Sequence, residues 1–203
     1  MKIIAVGRNY IDHAKELDNP VPDQPVIFLK PDTAVLKDNK DFYIPEFSKD
    51  IHYECELVVR ICNEGKHVSK KFAHKYYDAI GLGIDFTARD LQTQLKSKGL
   101  PWELAKAFDH SAVVSPLIPK EEFEDLSAIK FSLTKNGEVV QSGNTADMIF
   151  DIDTLITFIS GYITLRKGDL IYTGTPAGVG PVIIGDKLEG FIEDRPMFST
   201  HIK

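Results

Sequence analysis

The chain has 203 residues, 43% of them hydrophobic and 27% charged, with a formal net charge of −6. That length suits a single domain over residues 1–203, and the composition excludes disorder as the default. The acidic balance argues against a nucleic-acid surface, which needs clustered Lys and Arg, and no apolar run nears the ~20 residues that span a bilayer. At the N-terminus, "MKIIAVGRNY" reaches Gly7, Arg8 and Asn9 too early for the apolar core of a signal peptide. The cysteines are Cys55 and Cys62, whose odd spacing puts them on opposite faces of a regular strand. Free, reduced thiols and a cytoplasmic location are therefore expected.

Taken in chain order, "KIIAV" reads as a first strand, and the residues of "GRNYIDHAKEL" after Asn9 suit a short helix. "VIFLK", bounded by Pro25 and Pro31, reads as a short strand. In "HYECELVVRI", His52 to Ile61, a two-residue period puts Tyr53, Cys55, Leu57, Val59 and Ile61 on one face, as in a half-buried strand. The other face then carries His52, Glu54, Glu56, Val58 and Arg60. "FAHKYYDAI" reads as helical, and "GLGI" leads into Asp85 at a strand end. "KFSLTKNGEVVQSG" predicts a hairpin turning at Asn136-Gly137, the preferred pair for a tight turn. "DIDTLITFISGYITL" has an Asp cap and apolar residues at helical spacing, and "KGDLIYTG" and "DKLEGFIED" return to strands. Strands outnumber helices without alternating with them, which favours a β-rich α+β fold over a doubly wound sheet.

The carboxylates Glu54 and Glu56 raise the chemical question. Residues two apart on one strand face lie roughly 6.5–7 Å apart at Cα, so their side chains can converge on one point. Held together on a partly buried face they would repel, and one would be driven toward protonation. A divalent ion removes that cost. Together with Asp85 they would form an oxygen set suited to Mg2+ or Mn2+ rather than Zn2+. On the residues alone a solvated face of alternating charge stays open as the plainer account. The glycines of "YTGTPAGVGP" match no phosphate-loop spacing; a tight turn bringing backbone amides and Thr175 to a carboxylate is the better account, with Gly7 serving the same end at the exit of the first strand.

The blocks "GRNY", "HYECEL", "GLGIDFTARD", "WELAKAFD", "NGEVVQSGNTADMIFD" and "GDLIYTGTPAGVG" follow one another in an order that resembles the fumarylacetoacetate hydrolase family, particularly its small acylpyruvase and oxaloacetate decarboxylase branch. The resemblance runs from about Lys2 to the C-terminus. It implies a mixed β-roll or sandwich with a few short helices, a single catalytic domain, and a homodimer. It implies Glu54, Glu56 and Asp85 as ligands of Mg2+ or Mn2+. It implies His13 and Glu16 as a dyad on a segment that orders over bound substrate, Lys106 as the third catalytic residue, and substrate contacts at Arg8, Arg89, Gln92 and Thr175. His110 and the Asp32-Thr33 pair depart from the family pattern, on loops expected near the far end of the substrate.

His13 and Glu16 are neighbours on one helix face, where the carboxylate can orient an imidazole as general base. The activity implied is hydrolysis of a carbon–carbon bond in a 3-acylpyruvate or related 2,4-dioxo acid. His13 activates water, and the pyruvate enolate that leaves is stabilised by the metal and Lys106. The alternatives are oxaloacetate decarboxylation, isomerisation of a 2-hydroxyhepta-2,4-dienedioate, and a non-enzymatic binding protein stabilised by a metal. The expected partner is a small 2-oxo or 2,4-dioxo acid, with no nucleic acid and no membrane.

Overall fold

The computed structural model describes residues 1–16 and 20–203. Strand β1 (Ile3–Gly7) leads into helix α1 (Ile11–Glu16), then β2 (Val26–Lys30) and β3 (Val35–Leu36). Strands β4 (Ile51–Tyr53) and β5 (Cys55–Ile61) follow, with helix α2 (Lys70–Ala73), β6 (Tyr77–Asp85) and β7 (Thr87–Ala88) after them. Helices α3 (Arg89–Ser97) and α4 (Glu103–Lys106) precede β8 (Ala112–Val114) and β9 (Ile118–Pro119). The remainder comprises β10 (Lys130–Lys135), β11 (Glu138–Asn144), α5 (Ile152–Tyr162), β12 (Leu170–Tyr172), β13 (Gly180–Pro181), β14 (Lys187–Ile192) and β15 (Arg195–His201). The predicted helix after Asn9 ends, among the described residues, at Glu16; Leu17 lies outside them.

An eight-stranded mixed sheet runs β2-β1-β12-β5-β6-β8-β3, with β9 also paired to β6. Its β1–β12 and β3–β8 pairs are parallel and its other pairs antiparallel. A four-stranded antiparallel sheet, β11-β10-β14-β15, shares one core with it, Phe131, Leu133, Leu188 and Ile192 joining Leu57, Val59 and Leu82. A smaller core on the opposite face of the large sheet contains Ile3, Ala5, Phe28, Val58 and Tyr172. The expected β-rich fold with few short helices is thus present. Among the described residues no helix is long and apolar enough to cross a membrane.

Two local expectations change. "HYECELVVRI" is two strands, not one: β4 joins a small sheet with β7 and β13, β5 enters the large sheet, and Glu54 lies at the break. Nor is β5 half-buried. Leu57 and Val59 face the larger core and Val58 the smaller one, so apolar packing covers both sides. In "FAHKYYDAI" the helix stops at Ala73, and Tyr77 to Ile80 begins β6. Ala79 and Ile80 pair with Arg60 and Val59, and a short apolar run buried on both faces has no period that separates strand from helix.

Other local signals hold. The hairpin turns at Asn136 (φ 55°) and Gly137 (φ 86°), the two left-handed residues that a tight turn of this kind needs. Helix α5 buries Ile152, Leu155, Ile156 and Ile159, one stripe at helical spacing. Asp151 caps it, its side chain accepting the Thr154 N–H at 2.7 Å. The helix stops at Tyr162, short of Leu165, because Ile163 turns extended.

Asn9, just after β1, ties the strand ends near α1 together. Its side chain donates to Thr173 O at 2.7 Å and Phe150 O at 3.0 Å, and accepts from Phe150 N–H at 2.8 Å, all with the residue fully buried. Asn9→Ala leaves these buried backbone groups unpaired and should cost about 2–4 kcal/mol in denaturant titration. Unchanged stability would refute that role.

Burial raises the Asp151 carboxyl, but its hydrogen bonds from Thr154 and the nearby Lys70 outweigh this and hold it below its usual range. A depressed carboxyl stabilises the fold above its unfolded pKa and loses that contribution as pH falls through the folded value. Asp151→Ala should therefore lose about 1 kcal/mol at pH 7. The gap to the parent protein should narrow below about pH 4, followed by thermal melts across that range.

Candidate metal centre and active site

The β5–β6 register assembles the acidic cluster. Cys55 pairs with Ile84 and Glu56 with Gly83, which carries the ladder on to Asp85 opposite Glu54; the Asp85 N–H donates to Glu54 O at 2.8 Å. Gly83 opposite Glu56 is required by packing, since a Cβ there would lie 2.3 Å from Val113 O and 2.9 Å from the Tyr172 ring. One ligand atom from each of Glu54, Glu56 and Asp85 lies within 4.8 Å of the others, and all three residues are buried. A solvated face is excluded: Glu56 is 1% exposed and Asp85 0%.

Three cations neutralise these carboxylates. Lys106, itself buried, donates from Nζ to Glu54 Oε2 and Asp85 Oδ2, both at 2.7 Å, and to Thr87 Oγ1 at 2.5 Å. The surface position that a lysine beside Glu103 would ordinarily take is therefore not the one it occupies. Arg89 donates from Nη2 to Glu54 Oε1 and from Nη1 to Gln92 Oε1 at 2.6 Å, so Gln92 orients the guanidinium. The third cation, Lys30, is fully buried at the end of β2, its Nζ 2.6 Å from Asp85 Oδ1. That contact is an ion pair outside hydrogen-bond geometry, since Oδ1 has no hydrogen-bond partner. Lys30 donates instead to Ser111 Oγ at 2.9 Å, Ser111 O at 3.1 Å and Lys106 O.

The charges follow from this arrangement. Burial raises the Glu54 carboxyl, but Lys106 and Arg89 outweigh it and hold Glu54 far below the carboxylate range. Burial lowers Lys106, yet Asp85 and Glu54 outweigh it and keep the ammonium above its usual value. For Lys30 burial wins and the value falls. Glu56 is pushed well up, by burial first and then by Asp85 and Glu54. Glu56 forms no salt bridge among the described residues; it accepts the Gly174 N–H at 2.6 Å. Three oxygen donors, one lacking a cationic partner, fit a hard divalent ion such as Mg2+ or Mn2+, and the thiol of Cys55 lies on the other face.

A cleft opens over the cluster, lined by Arg8, His13, Phe28, Arg89, Trp102 and Lys106. Lys96, exposed on α3, stands at its edge, and Gly7 completes its floor. His13 is 4% exposed, with Nδ1 3.2 Å from Glu16 Oε2. Glu16 in turn accepts the Gly178 N–H at 3.0 Å. The predicted dyad is thus side by side and anchored to the glycine turn.

That turn acts on the protein's own carboxylates, Glu56 through Gly174 and Glu16 through Gly178. Gly174 has φ +100°, and a Cβ there would lie 2.6 Å from Asn9 Cβ, so only glycine places its amide here. Thr175 is buried beneath the cleft, its hydroxyl donating to Cys55 O and accepting from Gln141 Nε2, each at 2.8 Å. His110 and Thr33 meet each other, the His110 N–H donating to Thr33 O at 3.3 Å, and His110 lines a separate depression beside Lys40 and Tyr43. His110, with a left-handed backbone at φ 63°, is not among the residues that line the cleft over the carboxylates.

Sequence reasoning missed Lys30, Gln141, Lys96 and Trp102. For Lys30 a signal existed, since the two-residue period of "VIFLK" places it on the same face as buried Phe28.

Comparison with known proteins agrees with this geometry. The family described as fumarylacetoacetate (FAA) hydrolase C-terminal matches residues 2–203. The mouse (Mus musculus) protein named oxaloacetate tautomerase FAHD1, mitochondrial, is 44% identical over 94% of this chain and 86% of its own length. The Dictyostelium discoideum oxaloacetate decarboxylase, mitochondrial, is 44% identical over 93% of this chain and 87% of its own. The crystal structure of fumarylpyruvate hydrolase from Pseudomonas aeruginosa, in complex with Mn2+ and pyruvate, superposes with a TM-score of 0.94 at 33% identity, covering 100% of this chain and 89% of that one. The chain belongs to the fumarylacetoacetate hydrolase family.

Proposed function

We propose that this protein is an enzyme acting on a short 2-oxo dicarboxylate of the oxaloacetate type, through enol chemistry at the carbon beside the ketone. The observation that carries this is the charge inventory of the site. Lys30, Lys106 and Arg89 equal Glu54, Glu56 and Asp85 in number, although they pair only with Glu54 and Asp85, so with every group ionised a divalent ion would leave the buried cluster with two positive charges. Arg8 and Lys96 add positive charge around the cleft. A dianion complements this better than the monoanion of a simple acylpyruvate. The relatives named oxaloacetate tautomerase and oxaloacetate decarboxylase support the same branch, and so favour it over acylpyruvate hydrolysis as the main activity.

Glu54, Glu56 and Asp85 would hold Mg2+ or Mn2+, which when bound supplies Lewis-acid stabilisation of negative charge on the 2-oxo oxygen. The chain's own groups do the rest. Lys106, enclosed among apolar neighbours, adds a preorganised ammonium beside the same oxygen. Contact of His13 Nδ1 with Glu16 favours the tautomer that leaves Nε2 free to accept a proton. In keto–enol exchange His13 takes a proton from C3 of the substrate and returns it, through water, to the enolate oxygen, so that His13 ends the cycle as it began. In decarboxylation the electron pair of the C3–C4 bond flows into the same enolate as CO2 departs, no base is needed, and a proton from solvent or a protonated side chain then completes C3.

A second reading, hydrolytic cleavage of a 3-acylpyruvate, draws on the buried His13–Glu16 pair, which is placed to activate water. The fumarylpyruvate hydrolase crystallised with pyruvate supports it. Enol-to-keto conversion and CO2 release from oxaloacetate, and pyruvate release from acetylpyruvate, should be compared with Mn2+ and with chelator. Oxaloacetate turnover that chelator abolishes, exceeding acetylpyruvate cleavage, is expected; equal rates with and without the ion would reject the metal reading. His13→Ala should cut tautomerisation and acetylpyruvate cleavage by roughly 10²–10⁴ while reducing decarboxylation less. Equal collapse of all three would deny His13 its role as base.

A further inference from the structure

We propose that Lys30 sets the metal preference of this site by restricting Asp85 to one ligating oxygen, so that a small octahedral ion is bound in preference to Ca2+. The inference rests on the divalent-ion reading above. Lys30 Nζ lies 2.6 Å from Asp85 Oδ1, with the lysine side chain 0% and the aspartate side chain 1% exposed. Ser111 Oγ, Ser111 O and Lys106 O fix the ammonium from behind, so it cannot swing away. Oδ1 is closed off from solvent behind this ammonium, whereas Oδ2 accepts from Lys106, whose side chain lines the cleft and has room to give way.

The same pattern holds at the other two carboxylates. Glu54 Oε1 is engaged by Arg89, and Glu56 Oε2 by the Gly174 amide at 2.6 Å. Each ligand therefore has one oxygen held by such a tether, while the second oxygens of Glu54 and Asp85 accept from Lys106, which lines the cleft and would have to yield them to an ion. Three single oxygens leave three positions of an octahedron, which Mg2+ fills with water or substrate. Ca2+ takes six to eight oxygens and commonly draws both from a carboxylate. Of the three tethers, Arg89 stands on the cleft wall and the Gly174 amide is uncharged. Lys30 alone is fixed from behind by Ser111 and the Lys106 carbonyl and stands off the cleft, and so is the one that holds against a competing ion.

The test is calorimetric titration of Mg2+, Mn2+ and Ca2+ into metal-free wild-type protein and Lys30→Met, a variant that keeps chain length and apolar bulk, with circular dichroism confirming the fold. Wild type should bind Ca2+ at least ~10-fold more weakly than Mg2+. In Lys30→Met the ratio should move toward Ca2+ by ~10-fold or more, within the range typical of losing a group that orients a ligand. A general loosening of the fold weakens every ion together and leaves that ratio alone. Wild type binding Ca2+ as tightly as Mg2+, or a folded Lys30→Met with an unchanged ratio, overturns the assignment. If Lys30→Met does not fold, the wild-type ratio decides. Absence of any Mn2+ binding to wild type overturns the divalent-ion reading and this inference with it; Mn2+ binding with an unchanged ratio overturns the role of Lys30 alone.

Discussion

Three carboxylates buried beside one another on a sheet create a cost that the rest of this molecule is arranged to meet. Each carries a charge that a low-dielectric interior disfavours, and each raises the energy of the others. The cluster is held by groups from distant parts of the chain: Lys30 from the end of β2, Lys106 from α4, Arg89 from the start of α3, and the Gly174 amide beyond β12. Removing one partner from such a buried set typically costs about 3–5 kcal/mol, because an uncompensated charge stays behind. The fold around the site is therefore committed to keeping these contacts together, and rigidity at the chemistry follows from electrostatics as much as from packing.

This commitment explains which parts of the site were legible in the sequence. Glu54, Glu56 and Asp85 could be nominated because a two-residue period puts the glutamates on one face and because Asp85 closes an apolar run. Their meeting depends on the β5–β6 register, which no local spacing states. The His13–Glu16 pair was legible for the opposite reason, since helix geometry makes residues three apart neighbours without any tertiary information. Gln141 and Asn9 were silent. An amide side chain becomes a structural tie only when segments far apart in sequence, here Thr173 just after β12 and Cys55 at the start of β5, are brought to it.

The misread stretches have one cause. "HYECELVVRI" and "FAHKYYDAI" both supply strands of a sheet covered on both faces, and such strands lack the polar face that makes periodicity informative. On the second face Ile3, Ala5, Phe28 and Tyr172 of the same sheet pack with Ala34 and Trp102 from outside its strands, and this layer is what carries Glu54 and Glu56 into the interior. Seen locally they are ordinary strand acids; only the second layer makes them a site. Fold class was easier to read, because hairpin chemistry at Asn136-Gly137 and the cap at Asp151 are local and do not depend on what covers a sheet.

One electrostatic frame can serve several reactions, and the residues divide accordingly. Tautomerisation, decarboxylation and acylpyruvate cleavage all place negative charge on the oxygen of a 2-oxo acid, so all use the carboxylate cluster and Lys106 in the same way. They differ in when a proton must move, a duty that the proposed function gives to His13 and Glu16, which sit on a short helix outside the sheets. On that proposal the buried part of the site is common to the chemistry, and the helix-borne part would select among reactions. On that proposal a chain that kept Glu54, Glu56, Asp85 and Lys106 but altered the α1 dyad would change reaction while keeping the carboxylate cluster, because the contacts of His13 and Glu16 are with each other and with the Gly178 amide.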